Sequence, residues 1–176
     1  WFFRDPARTI PGDPALVVSP ANGVVVAIDQ TPPPPEVQVS DEFRRTCRRI
    51  SVFMNVFDVH VNRAPVTGRV MMAKHQVGKF LNAALQKASE ENERSSLVMR
   101  TDDGQEVVSV QIAGLVARRI VCRVSEGKDL QKGERYGLIR FGSRVDVFVP
   151  ESAAATVKLG ERMTSGESVI AKLLLR

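Results

Sequence analysis

The sequence predicts a mainly β protein, a compact β barrel or sandwich with one short helix or helical loop. Three observations lead there. Apolar residues alternate with polar ones over runs of four to eight residues, the period of a strand with one covered face. Proline and glycine punctuate these runs along most of the 176 residues. One segment alone stands out with the 3.6-residue spacing of an amphipathic helix.

Taken in order, Ala15–Ile28 reads as two strands around a Pro-Ala-Asn-Gly turn. Thr31–Val37, with four consecutive prolines, is an extended surface loop, because proline fixes φ and has no N–H to donate. Further strands are expected within Arg49–Val70. Gly78–Arg94 is the helical candidate, with Phe80, Leu81, Ala84, Leu85 and Ala88 at helix spacing before a charged tail. Val107–Ile112, Arg118–Val124, Leu138–Phe141 and Val145–Val149 complete the strand inventory. Between the last two sits Gly142-Ser143, which lacks the Asn-Gly or Asp-Gly chemistry of a tight hairpin. A small hydroxyl residue after glycine, inside continuous strand pattern, asks for a chemical reason.

Hydrophobic residues make up 43% and charged residues 26%, an ordinary globular balance that suits one domain or two small lobes sharing a core. The net charge of +5 includes arginine clusters in Phe43–Ile50 and Ala117–Arg123. They form either a solvated face or a surface attracted to anions. Eight Phe, one Tyr and one Trp do not interleave with these cations as a base-stacking platform requires, so a lipid surface is favoured over nucleic acid. Cys47 and Cys122 lack CxxC spacing, which excludes a four-thiolate zinc site, and two histidines leave little material for any metal. Two unpaired cysteines fit a reducing compartment. The aromatic start Trp1-Phe2-Phe3 suits a membrane–water boundary, and an N-terminal membrane segment is expected upstream of it.

Two internal echoes add to the fold expectation. Ser19–Ile28 and Ala64–Ala73 share a Pro-x-x-Gly turn entering a strand, and Val124–Ile139 and Val157–Leu173 share two glycines flanking a polar link. Paired layers of this kind resemble the barrel-sandwich hybrid, the lipoyl-like hammerhead. No lysine stands in the setting of a swinging-arm carrier.

Six collinear segments then resemble phosphatidylserine decarboxylase in its short bacterial and archaeal form. They are WFFRDPARTIP, SPANGVVVAI, FMNVFDVHVNRAPVTGRV, GKFLNAALQKASEENER, QIAGLVARRIVC and RFGSRVDVFVP, covering most of the chain in the expected order. The resemblance implies a proenzyme that cleaves itself at Gly142-Ser143 into residues 1–142 and 143–176, which stay associated. Ser143 Oγ would attack the Gly142 carbonyl, and elimination and hydrolysis would leave a covalent pyruvoyl cofactor. Glycine before the serine removes a crowding Cβ, and serine supplies both nucleophile and carbon skeleton. The pyruvoyl carbonyl would condense with the substrate amine and act as an electron sink while CO2 departs, yielding phosphatidylethanolamine.

His60, in DVHVNR, is the candidate for proton transfer. Alternation puts Asp58, His60 and Asn62 on one strand face, opposite Val59 and Val61. Two positions depart from the family pattern. Many members carry aspartate where this chain has Asn22, and an amide cannot serve as a carboxylate base, so the chain is expected to be uncleaved or slowly cleaved. Larger relatives carry a second histidine where this chain has Arg63, which together with Asn62 and His75 is a candidate for substrate contact, His75 more as a peripheral residue. The expected setting is the cytoplasmic face of the cell membrane, peripheral or N-terminally anchored, with anionic phosphatidylserine as partner and a homodimer as one assembly. The competing readings are a non-catalytic hybrid-barrel carrier or binding module, and a pyruvoyl enzyme for a soluble amino acid.

Overall fold

A computed structural model describes residues 4–84, 87–115, 119–140 and 142–175. It is mainly β. Eight strands form a curled antiparallel sheet: β2 (Gly23–Asp29), β3 (Arg48–Met54), β5 (Gly68–Gln76), β6 (Arg94–Arg100), β7 (Glu106–Ile112), β9 (Asp129–Leu130), β11 (Ser143–Val149) and β13 (Arg162–Met163), in the order β13-β2-β3-β11-β7-β6-β5-β9. A three-stranded sheet, β4-β10-β8, combines β4 (Val61–Arg63), β8 (Ile120–Cys122) and β10 (Arg135–Ile139). The third sheet, β1-β14-β12, is built from β1 (Leu16–Val18), β12 (Ala154–Ala155) and β14 (Val169–Lys172).

The curled sheet positions the site through β11. Its seven residues are all buried, held in register between β3 (Ser143 opposite Met54, Val149 opposite Arg48) and β7 (Arg144 opposite Ile112, Val145 opposite Gln111). Alternation sorts its side chains. Val145, Val147 and Val149 join the main core with Val17, Val52, Met54 and Ile139, whereas Phe148 joins a second cluster on the outer face with Phe43, Val108 and Ile112. Ser143 shares the parity of the inner set.

That outer cluster is closed by a helix the sequence pattern did not announce. In α1 (Asp41–Thr46) the Ser40 side chain accepts from Phe43 N, Asp41 and Glu42 occupy the first turn, and Arg44 and Arg45 the last. This order suits both the cap and the helix dipole. Phe43 is the anchor, 6% exposed, and its burial contributes roughly 2 kcal/mol. The proline loop is extended as expected and is pinned from this helix, where the Arg44 guanidinium donates to the Pro33, Pro34 and Val37 carbonyls.

The helix expected over 78–94 is realised, among the described residues, only as α2 (Ala88–Glu91). Leu85 lies outside the described residues. Tertiary bonds override the helical spacing. Lys79 N donates to Glu91 O and Glu93 N to Lys79 O, which zips the segment onto itself. The buried Asn92 amide receives Leu81 N and donates to the Leu81 and Ala113 carbonyls, tying it to the end of β7. At the strands flanking Gly142-Ser143 the expectation holds; Phe141, Arg118 and the Trp1–Phe3 trio lie outside the described residues.

Candidate active site

The scissile-bond candidate sits at the mouth of β11. Gly142 has φ +59°, the left-handed region where a Cβ is disfavoured. Its carbonyl oxygen packs against Gly114, so closely that a methyl group at 114 would overlap it, and the Ala83 methyl lies against the same glycine. Ser143 is fully buried and its Oγ has no hydrogen-bond partner. A buried hydroxyl without a partner forgoes about 1–3 kcal/mol of stability; Ser51, Ser96 and Ser165 share that state, and Ser143 differs from them in following a left-handed glycine. The unpartnered hydroxyl, the left-handed glycine before it and the close approach of Gly142 O to Gly114 fit a group generated from Ser143 itself.

On the opposite face, the next residue is fastened. Arg144 Nε meets Asp146 Oδ1 at 2.9 Å, and Arg144 NH1 donates to Ala83 O at 3.0 Å. Asp146 also faces Arg49 NH1 at 3.9 Å, and Arg49 pairs with Asp29 at 2.6 Å. Arg144, Asp146 and Arg49 are each at most 3% exposed. This chain of charges fixes the backbone immediately after Ser143 and clasps the 83 region over it.

His60 is placed beside the strand that leads into the cleavage candidate: Ile139 N donates to His60 O at 3.2 Å, one step before β4 pairs Val61 with Leu138. Burial lowers the imidazole pKa below its ordinary value, opposed by a backbone hydrogen bond and the negative charge of Asp58. At neutral pH the ring is therefore the neutral form, able to accept a proton. Asp58 is itself held: its Oδ2 accepts from Asn55 N at 2.9 Å and its Oδ1 pairs with Arg162 at 2.5 Å. The expected strand face is realised only from Val61 onward, since 55–60 forms a turn in which Asp58, Val59 and His60 are all buried.

Asn62 is fully buried. Its Oδ1 accepts from Gln111 Nε2 at 2.9 Å and its Nδ2 reaches Pro20 O at 3.4 Å and Met54 Sδ at 3.8 Å, Met54 being the residue opposite Ser143. Asn22 lies elsewhere in bonding terms: its Oδ1 accepts from Arg8 at 3.1 Å and from Ser165 N at 3.1 Å, so the carboxylate acting on His60 is that of Asp58. The Arg63 guanidinium is taken up by Asp5 (2.6 Å), Pro6 O and Gly133 O, which bind the N-terminal segment to the barrel. His75 is half exposed on β5, 3.2 Å from Glu93, and lines an open cleft of about 360 Å³ with Lys74, Arg119 and Cys122.

The sequence pattern did not single out Gly114, Gln111, Arg144, Asp146 or Arg162. A signal existed for one of them. Ser109 and Gln111 are polar at alternate positions of an otherwise apolar strand, which marks a polar stripe on the inner face.

Comparison with known proteins bears on this geometry. A family model described as phosphatidylserine decarboxylase matches residues 1–171. The chain is 54% identical over 173 residues to a phosphatidylserine decarboxylase proenzyme of Cereibacter sphaeroides, covering 98% of this chain and 73% of that protein. It is 53% identical to one of Ruegeria pomeroyi, covering 98% and 78%. With one of Paramagnetospirillum magneticum the identity is 52%, covering 98% and 71%. A match this long, carried by a fold that buries an orphaned serine hydroxyl behind a left-handed glycine, places the chain in the phosphatidylserine decarboxylase family.

Proposed function

We propose that this chain decarboxylates phosphatidylserine to phosphatidylethanolamine and CO2, using a pyruvoyl group that it makes from Ser143. The observation that carries the reading is the orphaned Ser143 Oγ beside the left-handed Gly142, in a chain that belongs to a decarboxylase proenzyme family.

Maturation follows from the placement of these residues. Ser143 Oγ bonds to the Gly142 carbonyl carbon as the peptide C–N bond breaks, giving an ester and a free amine. Loss of the Ser143 Cα proton then expels the Gly142 carboxylate. The resulting enamine takes up water and releases ammonia. Gly114 holds the carbonyl oxygen in place, and neutral His60, whose backbone is bonded to Ile139 of the approach strand, is the candidate proton acceptor. The two fragments stay together because β11 is hydrogen-bonded on both sides, β13 pairs with β2 and β14 with β1. When formed, the pyruvoyl group supplies a carbonyl that condenses with the substrate amine and accepts the electron pair released with CO2.

The membrane face is read from the same sheet end. Val56 and Phe57 follow β3, Val77 follows β5 and Leu115 follows β7; these strands all end on the side where β11 begins. Phe57, Val77 and Leu115 are 68%, 76% and 65% exposed. Arg119 and Arg140 are exposed and joined, Arg140 N donating to Arg119 O. Exposed apolar tips together with surface arginines suit an anionic bilayer. Two free cysteines support its cytoplasmic face.

The test is release of CO2 from detergent-dispersed phosphatidylserine, with free serine as the control. Release from the lipid alone supports the reading, and release from neither contradicts it. For the membrane face, Phe57→Ser with Leu115→Ser is expected to abolish cosedimentation with vesicles containing phosphatidylserine. Unchanged cosedimentation removes this face from the interface.

A further inference from the structure

Among the described residues of the curled sheet, Ser143 Oγ is one of two buried, unpartnered side-chain oxygens whose strand parity faces inward. The other is Gln111 Oε1, on a side chain that is fully buried. Gln111 is directly opposite Val145 on β11, so Ser143, two residues earlier and on the same face, is its diagonal neighbour. Diagonal positions on adjacent strands stand roughly 7–8 Å apart, a gap that long side chains span with room for one small group between them.

The orientation of the amide is fixed. Gln111 Nε2 donates to Asn62 Oδ1 at 2.9 Å, and Asn62 is in turn held at Pro20 O and Met54 Sδ. Room for the amide comes from Gly137, whose missing Cβ would stand 2.9 Å from Gln111 Nε2. The free atom is therefore the carbonyl oxygen, which only accepts. A serine phospholipid carries a carboxylate, a phosphate and acyl esters, all of them acceptors at neutral pH. Its one donor is the amine.

We infer that Gln111 Oε1 receives an N–H of the substrate's serine amine and steers it toward the position of Ser143, with Asn62 as the positioning residue. This deepens the decarboxylase reading and rests on it. The contact selects for the head group that bears an amine over one that lacks it, and it uses the one group of the substrate that must meet the Ser143-derived carbonyl. An amide oxygen accepts the N–H without placing a charge on the buried inner face.

The experiment is equilibrium binding to the Ser143→Ala protein, which cannot cleave or turn over. The two probes are short-chain phosphatidylserine and the counterpart in which hydrogen replaces the amine, phosphatidyl-3-hydroxypropionate. A hydrogen bond to a charged group corresponds to a preference of about tenfold or more for the amine-bearing lipid. Gln111→Leu is expected to lower that preference by about tenfold while keeping the affinity for the amine-free lipid, which differs from the substrate by one unit of charge as well. Gln111→Glu, which keeps an acceptor at the same place, is expected to retain it. The inference is overturned if the preference is unchanged in Gln111→Leu or falls equally in both variants. Failure of both lipids to bind, when the Ser143 parent decarboxylates phosphatidylserine, also overturns it. Decarboxylation by the parent is assayed alongside and reports on the function separately from this contact.

Discussion

The Cα of Gly114 and the carbonyl oxygen of Gly142 are packed so tightly that no Cβ fits between them. Residues 28 positions apart thus meet at the proposed scissile bond, and the strand end carrying Gly114 acts as a wall behind the carbonyl. Gly142 itself has open space where its Cβ would stand, so its constraint is the left-handed backbone and not crowding.

Gly114→Ala is expected to displace the Gly142 carbonyl and slow self-cleavage by at least about tenfold, because the overlapping atom is backbone and cannot rotate away. Gly142→Ala is expected to cost only about 1–2 kcal/mol of stability, the penalty of left-handed backbone for an L side chain. Densitometry of the uncleaved and cleaved bands over time checks the first, and denaturant titration of the precursor the second. A Gly114→Ala protein that cleaves at the parent's rate removes the wall from the account.

Acidification should act on His60. Its folded pKa is depressed by burial, so between its ordinary value near 6.5 and the lower folded value the unfolded chain binds the proton more readily. Stability that is present above about 6.5 is therefore lost as pH falls through the folded value. Thermal melts of the Ser143→Ala precursor at about pH 7.5 and about pH 5 are expected to show this loss, and His60→Gln to flatten it. Cleavage of the parent should slow over the same range. An identical pH slope in His60→Gln would assign the effect to other groups.

The charge chain behind Ser143 makes a different prediction. Arg144→Met takes from Asp146, 1% exposed, the guanidinium 2.9 Å away, while Arg49 NH1 stands at 3.9 Å. Removing one partner of a buried pair costs roughly 3–5 kcal/mol. Urea denaturation of the Ser143→Ala precursor, with and without Arg144→Met, measures this loss. A change below about 1 kcal/mol would class the pair with solvent-screened surface bridges.

Asn22 offers a separate test of maturation. We propose that its amide slows cleavage. In Asn22→Asp the new carboxylate would lie between the Arg8 guanidinium and the Ser165 N–H, both already donors to this position, so the fold is retained and the bonds become charge-assisted. The lifetime of the uncleaved chain is expected to shorten. Equal lifetimes in intact-mass time courses would free Asn22 of any part in maturation.

Much of this was legible in residues close together in sequence. The alternation in Val145–Val149 defined β11 and isolated Gly142-Ser143, and Pro-Ala-Asn-Gly marked the turn between β1 and β2. What escaped depends on contacts between distant segments. Helix α1 was hidden because its arginines read as a charge run, although Ser40, Asp41 and Glu42 offered start signals. The spacing of Phe80, Leu81, Ala84 and Ala88 satisfied a helix, yet Asn92 bonds to Leu81 and Ala113 claimed that backbone. Gln111 meets Asn62 across 49 residues, and Gly114 meets Gly142 across 28; no local pattern encodes either meeting.

Intact-mass analysis of the purified chain tests the central claim most directly. The account predicts two species, residues 1–142 and a 34-residue fragment from 143 to 176, the latter lighter by ammonia than its serine-ended form and reactive toward a carbonyl-trapping hydrazine. A 176-residue chain that stays whole and inert to the hydrazine, with Asn22→Asp as well as without it, would contradict the account.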